Sequence, residues 1–271
     1  HKKGINLLEN LIIKRGGLEG KNKSEYINFL NQNEFEIFFE QIKPFLTVQE
    51  QINLFSDLYK RGSLEAGFEL FIAITAMAFS QKKPERLFEA KKIIKNLKLT
   101  GFDSMSLIGC LDILLADVKQ AEARFSSSSD EDLRVWLNDY KGDKLEAICL
   151  YCQNWLENEV LRNFRDINIT KVDLDLWFNH LEIQEFIKKI ENKSKRGIPK
   201  VNFTSFGKNI QNTFKRDLSE VNSNENCGDE SGSKLPIPGG FKEDRILYSD
   251  EELSADLILK NKSLEIYNYC N

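Results

Sequence analysis

The sequence predicts an all-α protein: a tetratricopeptide-like helical array or bundle over residues 1–190, followed by a disordered, flexible linker or tail over 191–271. Three observations predict it. Apolar residues recur at spacings of three and four through the first 190 positions. Alternation with a period of two is nowhere sustained. The composition then changes abruptly near residue 191.

The elements follow in chain order. Ile5, Leu8, Leu11 and Ile12 form one helical stripe, which the glycine-rich run at 15–20 stops. Phe35, Phe38, Phe39 and Ile42 form the next. Thr47 and Glu50 stand at capping-box spacing, so the hydroxyl can accept the backbone N–H three residues on while the carboxylate reaches back. Gly62 closes that helix. Phe68, Phe71, Ile72, Thr75 and Phe79 mark the most apolar helix, residues 70–79, LFIAITAMAF. It is about half the ~20 residues needed to cross a bilayer, and so reads as a buried helix. Pro84 is expected in the first turn of the next helix, where its missing N–H costs little. Ser129 and Asp130 offer a cap before Leu133, Trp136 and Leu137, and Gly142 and Asp143 restart the chain into a long helix expected to run to about Arg162.

A degenerate repeat runs through the middle. Ala121 and Phe125 fit the A-x3-F element of a tetratricopeptide repeat, with Gly109 on its glycine. Gly109 and Ala121 would let two antiparallel helices approach closely while Phe125 fills the gap. Asp112 falls on the tyrosine position and Leu133 on the proline, both mismatches. Ala90 and Ile94 echo Ala121 and Phe125 at a separation of 31. A generic helical bundle remains the alternative.

The tail is basic, then acidic. Residues 193–216 hold seven basic residues and no acidic one; residues 217–271 carry twelve acidic and five basic. Phe203, Phe206 and Phe214 interleave the basic stretch, a pattern suited to a solvated linker, an anionic membrane surface or RNA.

Composition narrows the function. With 41% hydrophobic and 30% charged residues the chain is an ordinary globular protein, and a net charge of −4 argues against nucleic acid as a partner. No signal peptide opens it, and a first residue of His1 suggests a fragment or a processed chain. Five cysteines without framework spacing suit a reducing cytoplasm. The chemistry-bearing motifs are weak. Residues 15–21 lack the spacing of a phosphate loop, and Asn22 stands where Ser or Thr should hold magnesium. Cys149 and Cys152 form a CxxC inside a helix, not at its N-terminus, and read as buried structural thiols. His180 is the one internal histidine. The carboxylate pairs Glu157/Glu159 and Asp173/Asp175 read as solvated or loop residues. The expectation is no enzyme, no metal site and no cofactor.

Three stretches together carry a resemblance: 12–20, IIKRGGLEG; 46–55, LTVQEQINLF; and 149–166, CLYCQNWLENEVLRNFRD. Residues 114–125, LLADVKQAEARF, add a fourth. They resemble the helical middle region of the family of the cyanobacterial cell-division protein ZipN and its chloroplast-division relatives, the J-like domain family. The resemblance implies a non-enzymatic scaffold that tethers or organises the tubulin-like GTPase FtsZ and other division proteins at the membrane. It implies a place on the cytoplasmic face of the inner membrane at the division site, or on the stromal side in a plastid relative. Family members carry a J-like domain before this region and a transmembrane helix after it, neither of which lies in this sequence. The alternative is a tetratricopeptide-like adaptor that binds peptides in another pathway.

One segment stands out as a candidate partner surface: Arg162, Phe164, Arg165 and Asp166, which join Phe and Arg, residue types enriched at interfaces. The competing reading has Phe164 closing the core while Arg162 and Arg165 compensate the negative end of the preceding helix. For the tail, the expected outcome is rapid amide hydrogen exchange across residues 222–240; strong protection there would reveal a folded element.

Overall fold

The computed structural model describes residues 1–22, 30–97 and 103–194, and among these every regular element is helical. The expected tail lies outside the described residues, with its basic and acidic runs and Cys227 and Cys270, apart from the last residues of the final helix.

Eleven α-helices occur among the described residues: α1 (Lys2–Arg15), α2 (Gln32–Ile42), α3 (Val48–Lys60), α4 (Leu64–Ser80), α5 (Arg86–Asn96), α6 (Met105–Leu114), α7 (Val118–Ser126), α8 (Glu131–Asp139), α9 (Lys144–Trp155), α10 (Leu174–Asn179) and α11 (Leu181–Ser194). A 3₁₀ turn, Lys43–Phe45, follows α2, and a π turn, Leu156–Val160, follows α9. Consecutive helices pack on one another: α3 on α4, α4 on α5, α5 on α6, α6 on α7. Helix α9 returns to cover α6 and α7, and the π turn packs on α4.

Caps set the starts. Asn31 with Glu34 and Thr47 with Glu50 each form a full capping box. Ser63, Asp117, Asp130, Asp143 and Asp173 each accept a first-turn N–H. These side chains satisfy amide donors that no helical carbonyl can reach.

Two of the helix ends are alike. After α4, Lys82 takes the left-handed conformation (φ 56°) and Lys83 N–H bonds back to the Ala78 carbonyl at 2.9 Å. After α6, Ala116 does the same (φ 61°), and Asp117 N–H reaches the Asp112 carbonyl at 2.8 Å. These two Schellman-type ends lie 34 positions apart, the tetratricopeptide period. The second helices of the two hairpins repeat at a shorter interval, because α5 starts later after its turn than α7 does. Pro84 lies in that longer turn, one residue before the N-cap Glu85, and not in the first turn of α5 as the sequence suggested.

Helix α4 is sandwiched and almost wholly buried, as its apolar run required. Two stacked aromatic pairs fix its neighbours: Phe71 on Trp155 at 5.9 Å, and Phe79 on Trp177 at 4.9 Å. The Trp177 indole N–H donates to the Leu114 carbonyl at 3.1 Å, tying α10 to the end of α6. The α6–α7 hairpin has the expected close approach. A β-carbon added at Gly109 would stand 2.7 Å from the Phe125 ring, and Ala121 faces the same gap.

Asp112, the mismatch in the repeat pattern, is completely buried in α6. Its two oxygens take Lys91 Nζ from α5 and Arg124 Nε from α7, the latter at 2.8 Å. One carboxylate therefore joins the α4–α5 hairpin to the α6–α7 hairpin. The long helix expected from Asp143 to about residue 162 is α-helical only to Trp155; the π turn then widens it, with Leu161 N–H bonded to the Leu156 carbonyl at 2.9 Å. That widening lets Leu156, Val160 and Leu161 all point inward.

The close approach is testable. Gly109→Ala should cost about 1–3 kcal/mol in urea unfolding, the usual cost of overpacking. Phe125→Leu in that background should recover part of the loss. An equal penalty for Phe125→Leu with and without Gly109→Ala would show that ring and glycine do not collide.

Candidate functional site

The residues singled out from the sequence sit where the chain leaves the π turn and crosses to the start of α3. Phe164 is buried. Arg165 N–H donates to the Leu46 carbonyl at 3.0 Å. The Asp166 carboxylate accepts Val48 N–H at 2.8 Å, a first-turn donor of α3 that the Thr47 capping box leaves over. A negative charge there also matches the positive end of the helix. The buried Gln51 side-chain amide completes the seam, donating to the Lys43 carbonyl at 2.9 Å and to the Asn163 carbonyl at 2.6 Å.

The four residues thus divide into two pairs. Phe164 and Asp166 hold the segment down. Arg162 and Arg165 face solvent, and the Arg165 guanidinium lies 3.8 Å from Glu50 and 3.5 Å from the His1 ring. Arg165 therefore sits at the N-terminal turn of α3, not at the end of the helix that precedes it.

Sequence reasoning missed one member of this face. Phe45, on the turn whose Leu46 carbonyl receives Arg165, is 67% exposed. Its turn is rigid because Lys43 is buried between Glu69 at 2.9 Å and Glu40 at 3.2 Å. Burial opposes the Lys43 charge, but Glu69 and then Glu40 outweigh it and hold its pKa above the usual lysine value. The signal was present as Lys-Pro-Phe before a cap; nothing local says that the ring points outward. The result is a solvent-facing aromatic on a turn that is bonded through the Leu46 carbonyl to the backbone of the exposed Arg165, residue types that suit protein contact.

The other candidates are absorbed by the fold. Arg15 turns inward, donating to the Leu30 carbonyl at 2.7 Å and to Gln32 at 3.0 Å, and lies 4.2 Å over the Phe35 ring. Gly16 is the left-handed cap of α1. Cys149 and Cys152 are buried within α9, and burial, reinforced by Cys152 and then by nearby carboxylates, pushes the Cys149 thiol far up. Cys110 is raised in the same way, by burial first. Such thiols resist the ionisation that redox or metal chemistry needs. Glu157 accepts Val172 N–H at 2.7 Å, and Asp173 caps α10. Burial, then Asp173, raises the Asp175 carboxyl. His180 lies between α10 and α11, 4.0 Å from Glu182. Among the described residues no group of three or more His, Cys, Asp or Glu could hold a metal ion, and no helix is long and apolar enough to cross a membrane.

A family model, that of the ARC6 plastid division regulator alpha-solenoid domain, matches residues 45–205, more than half of the chain. The match begins at Phe45. It takes in 46–55, 114–125 and 149–166, three of the stretches that carried the resemblance, and leaves out 12–20. No curated protein and no solved structure matches the chain significantly.

Asp166→Ala should lower stability by about 0.5–1 kcal/mol, as loss of a helix-capping acceptor does. Thermal unfolding measures the loss, and amide exchange at Val48 should accelerate. Unchanged exchange at Val48 would mean that the carboxylate does not hold this seam.

Proposed function

The chain belongs to the ARC6 plastid division regulator alpha-solenoid family, and on that premise we propose that it is a non-enzymatic scaffold of the division ring. It organises FtsZ and other division proteins at the membrane, on the cytoplasmic face of a bacterial inner membrane or on the stromal side in a plastid. The observation that carries this reading is the family match across residues 45–205. Two features of the structure support it. The polar motifs that might have carried chemistry are spent on caps and core packing. The exposed Phe45 and the outward-facing Arg165, joined through the Leu46 carbonyl, suit binding to protein.

FtsZ is the partner to test first, by co-sedimentation of the chain with purified FtsZ filaments. Phe45→Ser combined with Arg165→Glu should lower recovery about tenfold. The melting temperature should barely move, since Phe45 is largely exposed and the Arg165–Glu50 pair is a surface contact worth about 0–1 kcal/mol. Equal recovery of variant and wild type would remove this face from the proposal. Failure of the wild-type chain to sediment with filaments would remove direct FtsZ contact.

A further inference from the structure

A second surface, away from the 162–166 segment, carries charge that the described residues do not fully neutralise. Asp112 is one buried carboxylate, and it already has two cations, Lys91 and Arg124. Lys95 lies one turn beyond Lys91 on α5 and is exposed; no carboxylate among the described residues pairs with it. Burial, then Lys91 and then Arg124, lower the Lys95 pKa against the weaker pull of Asp112. Among the described residues, Lys95 therefore stands near two cations whose own anion, Asp112, is buried.

Helical geometry extends the feature. At 100° per residue, Phe88, Lys91, Lys92 and Lys95 lie on one side of α5 over two turns, about 10 Å. Phe88 rests against Phe186 of α11 and is still 48% exposed. The acids within α5 and α7 are directed elsewhere. Glu89 sits on another side of α5 and pairs with Arg86 at 3.0 Å; Glu122 is two residues from Arg124 and so points away from it on α7.

We infer that this strip of α5, with Arg124 of α7, is a docking site for an acidic protein segment: paired carboxylates for Lys91, Lys95 and Arg124, and an apolar side chain for Phe88. Charge complementarity chooses the occupant, and recession refines the choice. The Lys91 and Arg124 side chains are only 16% and 21% exposed. A flat anionic bilayer meets such recessed groups poorly, whereas a single projecting Glu or Asp side chain can approach them. The site does not depend on the division reading, because it rests on charge and geometry alone.

The test uses fluorescence anisotropy of the full 271-residue chain with a labelled synthetic peptide carrying paired glutamates and one leucine. Saturable binding that weakens with salt is expected, because exposed charges are screened. Lys95→Glu should weaken it about tenfold, and Lys95→Met less, while Lys3→Glu on α1 should change it by no more than about twofold. Neither Lys95 variant should lower the melting temperature, because Lys95 has no ion-pair partner among the described residues. No saturable binding, equal losses from Lys95→Glu and Lys3→Glu, or preference for phosphatidylglycerol vesicles over the peptide would each overturn the proposal.

Discussion

The carboxylate of Asp112 is the interaction on which the arrangement of hairpins depends. Helix α6 is buried along nearly its whole length, so a charge placed there has no water to fall back on. Leaving a carboxylate unpaired in such a place costs several kcal/mol, and removing one member of a buried pair is strongly destabilising. Lys91 and Arg124 come from the helices on either side. The apolar contacts among α4, α5, α6 and α7 supply attraction but little choice of register. The carboxylate supplies the choice, because only one sliding position brings both cations to its two oxygens.

Much of the fold was legible because it is written locally. The Thr47–Glu50 capping box, the Asp130 cap and the buried run of α4 follow from spacings within a few residues, and the structure has each of them. The Gly109, Ala121 and Phe125 pattern was also readable, since a close helix crossing needs a missing side chain opposite a large one. The 34-residue period was harder to see. Its markers are left-handed Lys82 and Ala116, where propensity favours glycine, and tertiary packing overrides that preference. Asp112 looked like an error in a motif, because nothing in the sequence says that Lys91 and Arg124 will converge on it. The π turn was hidden for the same reason: its sequence is ordinary helix, and the demand to bury Val160 and Leu161 together arises only in the folded chain.

The candidate interaction face illustrates the same division. Composition alone drew attention to Arg162, Phe164, Arg165 and Asp166. Only the fold shows that Phe164 and Asp166 are anchors and that the arginines are outward-facing. The hydrogen bond from Val48 N–H to Asp166 spans 118 residues of sequence, and the exposed Phe45 comes from the far side of that link. A binding surface gains from such an arrangement. The exposed groups are held on backbone that is pinned by Gln51, Leu46 and Val48, so little ordering entropy remains to be lost on binding. Membership of a plastid division regulator family gives that pinned surface a biological setting.

Native-state hydrogen exchange of Asp112→Asn tests the central claim most directly. Asparagine keeps the shape and removes the charge. If the carboxylate locks the two hairpins together, the amides of α5, α6 and α7 in the wild type open as one unit, and the substitution lowers their opening free energy together by about 2–4 kcal/mol while α3 keeps its protection. Protection of α5 and α7 that stays at wild-type values in Asp112→Asn would contradict the account, showing that apolar packing alone sets how one hairpin sits on the next.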